Sequence, residues 1–115
     1  MAKRIQRKRT KGWRMPKGCR YVGRGTIFGN PFPAKRIGRA KALSLYRKFM
    51  RGRWGDLEKA GVSMMAVMQL QIVRAEVLKR LPELRGRDLS CWCPIILDNV
   101  YVPCHADVLL EIANA

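Results

Sequence analysis

No aspartate or glutamate occurs before Asp56. Residues 1–53 carry 18 Lys and Arg and no acid, whereas residues 54–115 carry 6 basic and 8 acidic residues, so the halves stand at +18 and −2 within a net charge of +16. Salt bridges within the first half cannot balance such a block; it calls for an external polyanion or a dense counterion cloud. Nucleic acid is the abundant partner of that kind, because each neutralised phosphate releases condensed counterions. An anionic membrane is a poorer match, since Gly and Pro interrupt the block where membrane binding favours a long amphipathic helix. Long apolar runs are also missing. No stretch is long enough to span a bilayer, and the basic start leads into Gly, Pro and further basic residues where a signal peptide needs an apolar run. A cytoplasmic location is therefore expected. No internal repeat and no long low-complexity segment occurs.

What the chain has is enough for one domain. Its 115 residues are 48% hydrophobic, which suits a modest core and excludes a disordered basic tail. Residues 1–18 read as a basic arm, with weak strand character around Ile5, and residues 19–115 as a single α/β domain. Cys19–Gly23 and Leu89–Trp92 are short β-rich runs. Arg39–Met50 and a segment from Ser63 to about Leu81 have helical spacing, the latter with Ser63 as N-cap, Met64, Met68, Leu70, Val73, Val77 and Leu81 giving the period, and Pro82 as its stop. Methionines at that spacing read as gap-filling core. Ile95–Pro103 is a loop or hairpin, and Cys104-His105 opens a last helix with Val108, Leu109 and Ile112 facing inward. The pattern predicts a small sheet with helices packed on it, in one compact domain. Leu89, Cys91, Tyr21 and Val22 are expected to be buried on neighbouring strands, against Val73 and Val77.

Cys91, Cys93, Cys104 and His105 form a C-x-C-x10-C-H set. Three thiols and an imidazole are an acceptable zinc shell. Alternate strand positions turn Cys91 and Cys93 to one side, which favours metal; adjacent Cys104 and His105 diverge unless the backbone bends, which disfavours it. A second reading takes Cys104, at a helix N-terminus beside His105, as an activated nucleophile or acid/base pair. A third takes the cysteines as small core hydrophobes and His105 as a cap. The three stay open, with zinc possible but not favoured. A zinc nucleobase deaminase is excluded: it needs H-x-E and P-C-x-x-C, and His105 is followed by Ala106-Asp107.

Arg24–Phe32 reads R-G-T-I-F-G-N-P-F. It follows a strand as phosphate loops do, but lacks the Lys-Ser/Thr ending of a P-loop and the spacing of a dinucleotide fingerprint. Its glycines would let backbone N–H groups approach an anion, with Arg24 and Thr26 as further donors. Phe28 and Phe32 read as core plugs before base-stacking rings. Trp13, among Lys11, Arg14 and Lys17, is the better stacking candidate.

Three segments carry a resemblance: Arg4–Pro16 (R-I-Q-R-K-R-T-K-G-W-R-M-P), then Tyr21-Val22-Gly23-Arg24 with Phe28-Gly29-Asn30-Pro31-Phe32, and finally Leu84–Pro94 (L-R-G-R-D-L-S-C-W-C-P) with Cys104-His105-Ala106-Asp107-Val108-Leu109-Leu110. Together these are similar to a small domain-of-unknown-function family found in bacteriophages and bacteria. The likeness spans nearly the whole chain outside the middle helices and the Ile95–Pro103 insert. It implies a phage or bacterial cytoplasmic origin and no particular activity. The family often has Pro and Trp where this chain has Gly25 and Ile27-Phe28, so the details of that loop do not carry over.

Ligands of open α/β sheets sit beyond the carboxyl ends of the strands. If the two core strands are parallel neighbours, Arg24, Thr26, Asn30, Cys93, Cys104, His105 and Asp107 share one edge. The expected function is association with nucleic acid, DNA or RNA, or with a nucleotide. Arg4, Arg7, Lys8, Arg9, Lys11, Trp13 and Arg14 would contact the nucleic acid, and the shared edge would form the pocket. The alternatives are an enzyme that processes a nucleotide or modified base with Cys104 and His105, and a non-catalytic structural or host-interaction protein. The cofactor is none or zinc.

Overall fold

The computed structural model describes residues 2–115. Five strands and five α-helices follow in order: β1 (Arg4–Gln6), β2 (Arg20–Tyr21), α1 (Ala34–Ile37), α2 (Arg39–Met50), α3 (Trp54–Lys59), α4 (Met64–Arg80), β3 (Leu89–Cys91), β4 (Ile96–Leu97), β5 (Val100–Tyr101) and α5 (His105–Ala113). A 3₁₀ turn at Leu81–Leu84 follows α4. Pro82 starts it, because proline has no N–H with which to continue the α-helical ladder.

The main sheet is three-stranded and wholly parallel, in the order β1-β3-β2. β3 is central, and Leu89, Ser90 and Cys91 are all buried, as a strand covered on both faces requires. Leu89 and Cys91 face α5, which packs across β1 and β3; Ser90 faces away and donates to the Met15 sulfur at 3.2 Å. The core is built from Val22, Phe28, Leu45, Tyr46, Phe49, Leu57, Leu84, Leu89 and Leu109, with Val67 and Val77 from α4. Val22, Leu89 and Cys91 are buried in one core cluster with Val77, while Tyr21 is only half-buried.

Ser63 caps α4 by accepting the Ala66 N–H at 3.2 Å. The face that α4 buries is only in part the one the spacing predicts: Val77 is buried and Leu70 packs against the core as expected, but the methionines lie outside. Met64, Met65, Met68 and Ile72 are 61–74% exposed, and Val73 is exposed as well. The helix is apolar nearly all round, so two stripes compete. α2 and α3 approach the side that carries Val67 and Val77, and the methionines are left outside.

β4 and β5 form a hairpin, pairing Ile96 with Tyr101 and Leu97 with Val100. Its two-residue loop puts Asp98 and Asn99 at φ 52° and 63°, as a type I′ turn demands of both central residues. The segment after β1 folds back over the sheet. The Arg7 N–H bonds to the Cys91 carbonyl at 2.8 Å, and Met15 reaches Ser90. Within the segment expected as an arm (1–18), Arg4–Gln6 thus form an edge strand and Met15 lies against Ser90 of the central strand.

Candidate functional site

All three strands of the main sheet end at one edge. β1 delivers Arg7, β2 delivers Val22-Gly23-Arg24, and β3 delivers Trp92-Cys93. The Arg7 guanidinium lies 4.7 Å from the Tyr21 ring centroid and 5.0 Å from that of Trp92, and Arg9 lies 4.9 Å from Trp92. Trp92 remains 38% exposed. Two arginines and two aromatic rings therefore stack on the carboxyl edge, flanked by exposed Lys8, Lys11, Arg14 and Arg24. Trp13 is half-buried nearby in sequence, its N–H closing a turn on Thr10 at 3.0 Å.

Arg4 does not belong to that cationic surface. It leaves β1 toward the interior, and its side chain is 2% exposed. Its Nη2 donates to the carbonyls of Val102 at 2.5 Å and Pro94 at 3.3 Å, Nη1 is 3.5 Å from Asp107, and Tyr101 covers the guanidinium at 5.1 Å. A charge so committed offers nothing to an outside phosphate. Nε and Nη1 nonetheless lack hydrogen-bond partners. Burial pulls the Arg4 pKa down, but Asp107 and the Cys104 sulfur beside it outweigh burial and hold it above the ordinary value.

Beneath this edge the thiols converge. The sulfurs of Cys91, Cys93 and Cys104 all lie within 4.8 Å of one another. Cys91 Sγ and Cys104 Sγ are 3.2 Å apart, and Cys104 Sγ is 3.3 Å from His105 Nδ1. β3 aims Cys91 inward, and the bend after it brings Cys93 to the same group. Cys104, the N-cap residue of α5, is extended (φ −147°, ψ 164°), and His105 is the first helical residue. That change of backbone conformation lets adjacent side chains meet, which the sequence spacing alone argued against. Asp107 fixes the turn by accepting the Cys104 N–H at 2.8 Å, and Tyr101 donates to the same carboxylate.

His105 Nε2 lies 2.8 Å from the Val22 carbonyl. A carbonyl only accepts, so Nε2 carries a proton, and Nδ1 is the nitrogen turned toward the thiols. Hydrogen bonds from the Cys91 and Cys93 thiols, with His105 behind them, hold Cys104 far below the usual thiol range. Cys91 keeps its proton, raised first by its bond to Cys104. Burial would lower His105, but Cys104, Cys93 and the Val22 carbonyl outweigh it and push it up to about 10. Cys91, Cys104 and His105 are buried and Cys93 is half-buried. Cys19 lies in the loop before β2, where burial raises its thiol pKa.

The Gly-Asn-Pro loop comes to the same edge but turns its polar groups inward. Thr26 Oγ1 donates to the Gly23 carbonyl at 2.9 Å. Asn30 Nδ2 donates to the Ala42 carbonyl at 3.2 Å, and Asn30 Oδ1 accepts the Phe32 N–H at 2.9 Å. Phe28 is fully buried and its carbonyl accepts the Tyr46 hydroxyl at 3.0 Å. A side chain at Gly29 would come within 2.9 Å of the Gly23 carbonyl, so glycine is required where the loop crosses the strand end. Of the expected pocket, Cys93, Cys104, His105 and Asp107 are gathered together. Thr26 and Asn30 serve as loop clamps, and Arg24 projects from the surface. Arg4, Tyr101 and the Val22 carbonyl complete the cluster, and sequence reasoning did not place them there. The one signal in the sequence was Arg4's position in the single β-like stretch of an otherwise irregular basic segment.

The molecule is thus a small parallel-sheet α/β domain with a buried thiol–imidazole cluster under a cationic, aromatic sheet edge. The family model described as Domain of unknown function (DUF4326) matches residues 5–115, and the chain belongs to that family. Comparison with curated proteins and with solved structures finds no match in either. Among the described residues no helix is long and apolar enough to cross a membrane.

Proposed function

We propose that this protein binds nucleic acid through the carboxyl edge of its sheet. The observation that carries the reading is the stack of Arg7 and Arg9 on Tyr21 and Trp92. It joins the two elements of sequence-tolerant recognition, cations for phosphates and a partly exposed ring for bases. The acid-free first half supplies the surrounding field. Burial of Cys104 and His105, 4% and 8% exposed, favours this over the enzyme reading, because catalysis needs the reacting groups in contact with a substrate. The cluster anchors the edge from below.

The test is fluorescence anisotropy with labelled single-stranded DNA, duplex DNA and RNA across a salt series. Binding should be insensitive to sequence and fall steeply with salt. Arg9→Glu with Lys11→Glu should reduce the slope of log K against log salt by roughly two, about one for each phosphate no longer neutralised. The charge-matched pair Lys59→Glu with Lys79→Glu should change it far less. No binding at low salt, or equal effects of the two pairs, overturns the proposal.

A further inference from the structure

The cluster under the sheet edge has a chemistry that nucleic-acid binding does not use. We propose that the Cys91, Cys93 and Cys104 sulfurs and His105 Nδ1 hold one zinc ion, and that buried Arg4 is the counter-charge of that centre. This is independent of whether the edge above binds nucleic acid.

Three features of the geometry carry it. The first is donor convergence. Around a tetrahedral zinc with Zn–S of about 2.3 Å, donors stand about 3.7 Å apart. The three sulfurs lie within 4.8 Å of one another, and the 3.2 Å Cys91–Cys104 pair needs a few tenths of an ångström of outward movement. His105 Nδ1, 3.3 Å from Cys104 Sγ, stands more than 4.8 Å from at least one other sulfur, so the imidazole must close on the thiols when the metal binds. The donors also come from three places, β3, the turn after it and the start of α5, so a metal would tie the central strand to the helix packed on it.

The second feature is the histidine. Histidines that ligate metal typically donate their other ring N–H to a carbonyl or carboxylate, which fixes tautomer and ring orientation. His105 already has that arrangement: Nε2 is on the Val22 carbonyl at 2.8 Å and Nδ1 faces the sulfurs. On binding, the metal replaces the protons held among the four donors, which pass to solvent.

The third feature is Arg4. Three thiolates and one Zn²⁺ leave a charge of −1 in the interior, where an uncompensated charge is costly. Arg4 is a guanidinium with its side chain 2% exposed. Its Nε and Nη1 protons have no hydrogen-bond acceptor, and its position is fixed by Pro94, Val102 and Asp107. Unmet donors on a buried cation are expensive unless an anion stands near them. Asp107, 3.5 Å from Nη1, meets part of that demand, and a thiolate-rich metal centre around Cys104 supplies the rest. Asp107 then has two tasks: it orients Arg4 and it caps the backbone N–H of the ligand Cys104.

The experiment uses the full chain purified under reducing conditions without added metal. Elemental analysis should find one zinc per chain. Replacing zinc by cobalt should give the thiolate charge-transfer and tetrahedral d–d absorption of a three-sulfur, one-nitrogen site. Cys93→Ser removes a ligand at a half-buried position and should lower zinc affinity, measured by chelator competition, more than 100-fold while the apo protein stays folded. His105→Ala should shift the cobalt spectrum. Arg4→Met should weaken zinc 10- to 100-fold at unchanged stoichiometry, with partial recovery in Arg4→Lys. Metal-free protein that takes up neither zinc nor cobalt overturns the proposal. So does a native Cys91–Cys104 disulfide, or Cys93→Ser protein that binds zinc as tightly as the parent. Equal zinc affinity in Arg4→Met overturns the role of Arg4. Nucleic-acid affinity is measured on the same samples, so failure of either proposal is seen separately.

Discussion

Replacing Asn30 by Ala separates a structural clamp from a ligand-binding loop. The Asn30 side chain makes two hydrogen bonds, one from Nδ2 to the Ala42 carbonyl of α2 and one accepted by Oδ1 from the Phe32 N–H. Both are partly buried. At a net worth of about 1 kcal/mol each, their loss should cost about 2 kcal/mol. For a domain of this length, 1 kcal/mol moves the melting temperature by about 3–6 °C, so Asn30→Ala should melt roughly 6–12 °C lower. Differential scanning calorimetry gives the shift, and urea denaturation should give the same loss with an unchanged slope. Nucleic-acid affinity, measured well below the new transition, should stay within about twofold of the parent, because Asn30 turns away from the cationic edge. An unchanged melting temperature would refute the clamp. If affinity fell at the same time, Asn30 would be a ligand contact and the loop would belong to the binding surface.

Tyr46→Phe removes the hydroxyl bonded to the Phe28 carbonyl and should cost about 1 kcal/mol. Burial holds the Tyr46 phenol well above the ordinary tyrosine value, so ultraviolet titration of the folded parent should show one tyrosine fewer ionising than the three present. Leu109→Ala, at a fully buried position of α5, should cost about 2–5 kcal/mol in denaturant unfolding; a loss under 1 kcal/mol would show that α5 is not seated on the sheet as described. Glu83 is lowered below its usual pKa by the hydrogen bond from Arg80 and then by Arg20. Its stabilising contribution is therefore full above the unfolded value of about 4.3 and disappears as the pH falls through the folded value. Melting curves of the parent and Glu83→Gln should differ near neutrality and converge in acid; a constant gap would refute that assignment.

Much of this fold is legible in the sequence because local rules and tertiary demand agree. Leu89-Ser90-Cys91 is apolar and small enough to be central, and Ser63 supplies the oxygen that the first turn of α4 needs. α5 announces itself through Val108, Leu109 and Ile112. The sequence does not decide how far the buried stripe of α4 turns: Val77 and Leu70 pack inward as expected, but Met64 and Met68 compete with Val67, and contact with α2 and α3 settles it. α1 and α3 are missed for a simpler reason: four and six residues are too few to show a helical period. The cluster's membership was readable from Cys91, Cys93, Cys104 and His105. Its geometry was not, because the meeting of adjacent Cys104 and His105 depends on one extended residue before a helix. Arg4 was misread since charge within a basic run looks like surface, and only its place in a strand beneath a hairpin turns it inward.

The strand order has a kinetic consequence. Neither edge strand pairs with a sequence neighbour: Ile5 lies opposite Ser90, and Tyr21 opposite the same Ser90. Every ladder of the main sheet therefore closes a long loop and loses much chain entropy before any pairing rewards it. The helices between Ala34 and Arg80 make local contacts and can form early. Folding of this domain should be limited by the arrival of β3 between two waiting edges. Substitutions at Leu89 or Cys91 would then slow refolding, while those in the β4–β5 hairpin would chiefly speed unfolding.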